Sequence, residues 1–200
     1  MSNPSQAYRL VPWAWSAAWL LTGLGLAFSD VYSSPSRSLV PYFALSALGW
    51  GIAGFITASA ARGKPGLALR LLAWGIAWLV ASLLGLVWLH HWNVAFFGPI
   101  VATGLAGLIG GLAASMRPGA WRPISAVLLG AVFLLFATLN LYFSYFLMIV
   151  YTSISQHGGD VSVVSALIWP LPGAVCGLLA GWSARRILGL TRPRPPGLLS

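Results

Sequence analysis

Six apolar stretches, at approximately 11–28, 39–61, 67–89, 94–116, 124–152 and 161–184, follow one another with only short breaks between them. Each is near the roughly 20 residues that an α-helix needs to cross a bilayer. An isolated strand in lipid leaves its backbone amides and carbonyls unpaired, so helix is the expected conformation of all six. The breaks carry turn chemistry, as in Ser33-Ser34-Pro35-Ser36, Arg62-Gly63-Lys64-Pro65-Gly66, Arg117-Pro118-Gly119 and His157-Gly158-Gly159-Asp160. Connections this short make consecutive helices antiparallel neighbours and leave no room for a soluble domain. With 58% of its 200 residues hydrophobic and 6% charged, the chain has too little polar surface for water.

The stretches also resemble one another. Ser16-Ala17-Ala18-Trp19-Leu20-Leu21 aligns with Gly75-Ile76-Ala77-Trp78-Leu79-Val80, and Gly130-Ala131-Val132-Phe133-Leu134-Leu135 gives a fainter third copy. The even stretches share Gly51-Ile52-Ala53-Gly54, Gly107-Leu108-Ile109-Gly110 and Gly173-Ala174-Val175-Cys176-Gly177. The expected fold is therefore an all-α integral membrane protein of six transmembrane helices, built as three antiparallel αα-hairpin repeats. The hairpins fall at 11–61, 67–116 and 124–184. A short segment at 1–10 precedes them, and a basic, proline-rich tail at 185–200 follows. The first stretch is long for a signal-peptide core and matches the third as a repeat member, so it is expected to be retained as a span.

Charge sets the orientation. Ten of the 11 basic residues (Arg9, Arg62, Lys64, Arg70, Arg117, Arg122, Arg185, Arg186, Arg192 and Arg194) fall on one side of this arrangement, and only Arg37 on the other. The positive-inside rule makes the first side cytoplasmic, with both termini inside and the plasma (inner) membrane as the location. A net charge of +9 on a soluble protein would suggest nucleic acid; here it orients spans and meets lipid headgroups, so no nucleic-acid partner is expected. Asp30 and Asp160 are the sole acids, and with His90, His91 and His157 they all fall on the outer side. Asp30, His91, His157 and Asp160 are the outer-face candidates for holding a metal or a cofactor, neither of which the sequence identifies. Interfacial histidines bonded to water and headgroups explain the same residues without a ligand.

Span five carries the most polar groups. Asn140 and Ser144 lie one turn apart, Tyr145 is adjacent and Tyr151 lies two turns further on. An asparagine within a bilayer costs free energy unless it finds a partner, so it is expected to point into the bundle. Asn140, Ser144, Tyr145 and Tyr151 are the candidate ligand pocket, with an interhelical hydrogen bond as the plainer role for the asparagine.

Small residues recur every fourth position, as in Ala14, Ala18 and Thr22, in Thr103, Gly107 and Gly111, and in Gly173, Gly177 and Gly181. Such lines are grooves where another backbone comes close, either within the bundle or on a partner subunit. Trp13, Trp15, Trp88, Trp92, Trp121, Trp169 and Trp182 fall near span ends, where an indole bridges lipid and headgroup; Trp19, Trp50, Trp74 and Trp78 lie deeper, lining a pocket or filling the core. Pro41, Pro99, Pro170 and Pro172 stand near the outer ends of the even spans, as first-turn prolines or as kinks.

Enzyme chemistry finds little support. No glutamate occurs, so an HExxH motif is absent, and no nucleotide-binding glycine motif stands in the right context. Gly181-Trp182-Ser183 has no histidine after it to act as base, and Lys64, the sole lysine, lies in a loop. The six-span layout and the Ala14/Ala18 line resemble the substrate-binding membrane subunits of energy-coupling-factor vitamin transporters. That resemblance rests on layout and two alanines, and it implies that Ala14 and Ala18 dock a partner. Three two-helix repeats also occur in mitochondrial carriers, whose PxDxxK-type signature is missing here. Two functions remain. One is a non-catalytic transport or ligand-binding membrane component for a small, mostly apolar molecule. The other is an accessory subunit of a larger membrane complex, packing through its small-residue grooves.

Overall fold

The computed structural model describes residues 4–29, 40–60, 74, 76, 78–80, 98–114, 120–156 and 167–190. They form α1 (Pro4–Ser29), α2 (Val40–Ala60), the helical residues 74, 76 and 78–80 (α3), α4 (Gly98–Ala114), α5 (Trp121–Gln156) and α6 (Pro170–Ile187). Among the described residues there is no strand. Within those residues three stretches are long and apolar enough to cross a membrane, Gln6–Phe28, Val40–Ala60 and Trp121–Ser153, and Ile100–Leu112 is a shorter apolar helix.

Three boundaries differ from the sequence expectation. α1 starts seven residues before its apolar stretch, since the polar opening Pro4-Ser5-Gln6 contains nothing that stops a helix and begins with the proline suited to a first turn. α5 runs 36 residues, or about 54 Å at 1.5 Å per residue, well beyond the roughly 30 Å hydrocarbon layer. The stretch read as one span from 161 is interrupted at 168–169, and the hydrogen-bonded helix begins at Pro170. Pro170 has no amide hydrogen to continue a helix from upstream. All four flagged prolines lie within the first three residues of α2, α4 or α6, where a missing N–H breaks no intrahelical bond. None of them kinks a helix interior.

α1 lies between α2 and α6, and glycine makes both seams. Along α6 the Cα of Gly173 faces the Trp19 carbonyl, Gly177 faces the Trp15 carbonyl, and Gly181 faces Cα of Pro12. A Cβ at 173 would sit 2.9 Å from the Trp19 oxygen, and one at 181 would sit 2.8 Å from Pro12. Ser16 Oγ adds a 2.8 Å hydrogen bond to the Ala174 carbonyl across the same seam. On the other side Gly49 approaches Ala18, and Gly25 approaches Tyr42. α4 and α5 pair in the same manner, with Gly111 against Ala126, Gly107 against Phe133 and Gly104 against Gly130. Ala14, Ala18, Gly107, Gly111, Gly173, Gly177 and Gly181 are all buried, and the neighbours that fill their grooves belong to this same chain.

The space between the seams is filled by aromatic rings. Trp15 is fully buried and meets Trp74 at 4.8 Å, Phe133 at 4.9 Å and Trp50 at 5.1 Å between centroids, each edge-on. Edge-to-face pairs at these separations add to the packing beyond the area they cover. Trp74 wedges between Gly54 of α2 and Gly110 of α4, both of which lie against its side chain. Trp78 packs at 6.0 Å from Trp50 and 5.5 Å from Tyr42. Trp15, expected near a span end, is instead eleven residues into α1 and fully buried among the helices. Trp13, Trp121 and Trp182 do face outward, at 65%, 59% and 44% exposure.

Candidate functional site

A small cavity opens where α1 ends and α4 and α6 begin. Its walls come from α1 (Trp19, Thr22, Gly23, Leu26), α2 (Trp50), α4 (Ile100, Thr103), α5 (Ala137, Asn140, Leu141) and Trp169 just before α6. The free volume is about 40 Å³, and a water needs roughly 10–15 Å³ on this measure. The site therefore takes a few water-sized groups and no more.

Helical periodicity explains who reaches it. Ala137 and Leu141 are one turn apart on α5, and Asn140 lies between them on the same face, so all three project toward α1. On α1 the pair Trp19 and Gly23 and the pair Thr22 and Leu26 repeat that spacing. Gly23 is needed here because its Cα lies against the Trp169 carbonyl and the Pro170 backbone; a Cβ would come within 2.7 Å of that oxygen. This contact makes Trp169 a wall of the cavity.

The polar groups around the cavity are unequal. Thr22 Oγ1 donates to the Ala18 carbonyl at 2.9 Å and accepts from Trp50 Nε1 at 3.3 Å, so both its roles are filled. Asn140 Oδ1 is buried with no hydrogen-bond partner, and so is the Trp19 indole N–H. One unpaired acceptor and one unpaired donor thus belong to residues lining a single cavity. A buried amide oxygen left without a partner costs about 1–3 kcal/mol, which a bound donor recovers. No side chain in the lining titrates, so the cavity can hold and orient a guest but has no residue to act as a general acid or base.

Of the four pocket residues expected from the sequence, Asn140 lines the cavity. Ser144 is fully buried one turn on, with its Oγ also unpartnered, and lies outside the lining. Tyr145 does not line it: each residue turns the helix by about 100°, and from buried Ser144 that step carries Tyr145 to the outer surface, where it is 53% exposed. Tyr151 keeps the Asn140 face but lies three turns away, and it too is outside the lining. Asp30, His91, His157 and Asp160 all lie outside the described residues. Among the described residues no group of three or more histidine, cysteine or acidic side chains gathers. Of the four deeper tryptophans, for which the sequence leaves pocket lining and core filling open, Trp19 and Trp50 line the cavity. Thr22, Thr103 and Trp169 carry no pocket signal in the sequence beyond the place of the two threonines in lines of small residues.

Fold and site together define, among the described residues, an all-helical protein with three helices long and apolar enough to cross a membrane and a small interior cavity walled largely by tryptophan. Comparison with family models, with curated proteins and with solved structures finds no match to this chain.

Proposed function

We propose that this chain is a transport or ligand-binding membrane component whose site is the Asn140 cavity. The observation that carries the reading is the unpaired Oδ1 of Asn140, a residue lining a cavity walled mostly by apolar and aromatic groups, with Thr22 and Thr103 among them. Such a wall suits a mostly apolar guest with one hydrogen-bond donor. In this conformation the guest is limited to a few heavy atoms, and a larger one requires a wall to move. The full arrangement is six spans in three hairpin repeats, both termini cytoplasmic, in the plasma (inner) membrane. In support, the aligned positions Trp15, Trp74 and Leu129, and likewise Trp19, Trp78 and Phe133, are all within 5% exposure. The test is native mass spectrometry of the full chain extracted from its own membrane. A bound small-molecule mass that Asn140→Leu removes supports the reading; a wild-type chain with no such mass, or one unaffected by the substitution, counts against it.

One observation favours the second reading, an accessory subunit. The surface between α4 and α5 carries an open apolar groove of about 300 Å³ lined by Val101, Gly104, Leu105, Leu108, Val127, Gly130, Ala131 and Leu134. With the other small-residue lines filled from within the chain, this groove is where a partner helix would lie. Val127 is 58% exposed on its rim, so Val127→Trp fills the groove without touching the core. Unchanged co-purification of every membrane partner with that variant argues against an accessory role.

A further inference from the structure

We propose that the end of the bundle where α1 starts and α6 stops binds the phosphate of an anionic phospholipid, with Arg185 and Arg186 as the ligands. The α1–α6 seam leads there in steps of about one turn. Gly173 meets Trp19, Gly177 meets Trp15, Gly181 meets Pro12, and the next step sets the Arg185 guanidinium 4.4 Å above the Tyr8 ring. Arg186 lies 3.9 Å over the Trp182 ring. Two guanidinium planes are thus held against aromatic faces, which fixes long side chains that would otherwise lose their freedom on binding an anion.

The backbone beneath them is fixed as well. α6 ends with Gly189 at φ 70, where the Gly189 amide donates to the Arg186 carbonyl at 3.1 Å and the Leu190 amide to the Arg185 carbonyl at 3.1 Å. This is the left-handed glycine termination in which an apolar residue follows the turn, and Leu190 is buried as that motif requires. Both arginine carbonyls are thereby satisfied, and the positions of the two side chains at the helix end are set.

No anion of this chain meets these cations among the described residues. Arg185 makes no side-chain hydrogen bond there, and its Nε is buried without an acceptor. The whole chain has 2 acids for 11 basic residues, so most of its cations find counter-charge outside the protein. A phosphate accepts two parallel hydrogen bonds from the planar edge of a guanidinium, which adds geometric fit to the charge attraction. A lipid headgroup, in preference to free phosphate, fits the surroundings: the membrane-spanning stretch of α1 begins at Gln6, Trp182 under Arg186 is 44% exposed, and Leu10 and Trp13 in the first half of α1 are 49% and 65% exposed. They give acyl chain and glycerol an apolar and aromatic surface to lie on.

The full-length chain in mixed micelles with phosphatidylglycerol, with phosphatidylcholine, or with inorganic phosphate tests this by titration under native mass spectrometry. Phosphatidylglycerol is expected to bind in preference to the other two. Each removed charge should weaken it about fivefold, so Arg185→Gln with Arg186→Gln should lose roughly 25-fold. Equal affinity for phosphatidylcholine, or an unchanged affinity in the double variant, overturns the proposal. Inorganic phosphate binding as tightly as the lipid overturns the headgroup assignment in favour of a free anion. Should the double variant not fold, Arg186→Gln alone, at an exposed position, carries the same test with a loss of about fivefold expected and no loss overturning it.

Discussion

The indole N–H of Trp15 donates to the Thr57 hydroxyl at 3.1 Å, and that hydroxyl donates in turn to the Ala53 carbonyl at 2.7 Å. Both side chains are fully buried, so the bond ties the middle of α1 to α2 where no water competes. Thr57→Val keeps the shape and removes the acceptor, leaving a buried indole N–H unpaired. The variant should lose about 1–3 kcal/mol in an unfolding titration in mixed micelles, and Thr57→Ser should recover most of it. An unchanged midpoint for Thr57→Val would show that the bond contributes nothing.

The seams make a sharper contrast. A Cβ on Gly177 would overlap the Trp15 carbonyl, whereas one on Gly51 meets nothing within 4 Å. Gly177→Ala should therefore destabilise by about 1–3 kcal/mol, as overpacking does. Gly51→Ala, in the same type of sequence motif, should be neutral or stabilising by up to about 1 kcal/mol. The same unfolding titration reads both, and equal effects would refute the seam. Because Gly177 faces α1, a bulky residue there disturbs the fold of this chain first, and loss of a partner from such a variant says nothing about docking.

That contrast marks what the residues alone disclose. A glycine or alanine every fourth residue announces a close approach of backbones, but it does not name the helix that approaches. Gly54, Gly110 and Gly177 look equivalent in sequence; only three-dimensional pairing shows that Gly54 and Gly110 clasp Trp74 while Gly177 lies under Trp15 and Trp19. Asn140 is legible because a carboxamide in lipid has few options. Trp19, Trp50 and Trp169 are not, since an indole packs, spans an interface or lines a cavity according to neighbours that lie far away in sequence. Tyr145 misleads for a simpler reason: adjacency along a helix means a turn of about 100° away from Ser144, off the inner face.

Trp74 tests whether the aromatic core is one unit. Wedged between Gly54 and Gly110, it should cost about 3–5 kcal/mol when truncated to alanine. Gly54→Ala alone should also destabilise, because the new methyl meets the Trp74 side chain. Combined with Trp74→Leu, its effect should shrink, giving a coupling of about 0.5–3 kcal/mol in a double-mutant cycle. Strict additivity would mean that the two positions do not share a contact.

Asn140 separates binding from stability. Its oxygen has no partner among the described residues, so Asn140→Leu removes an orphaned acceptor and fills similar volume. The unfolding midpoint should hold or rise, by no more than about 1–3 kcal/mol. Guest retention, read as bound mass on the intact chain, should be lost. Tyr145→Leu, on the outer face of the same helix, should change neither quantity. A merely structural asparagine would give the opposite result for Asn140→Leu, a lower midpoint with the bound mass unaffected. The pair of variants thus distinguishes a residue kept for a guest from one kept for the helix bundle, because the energetic cost of the unpaired oxygen falls on the empty protein and is relieved by what enters the cavity.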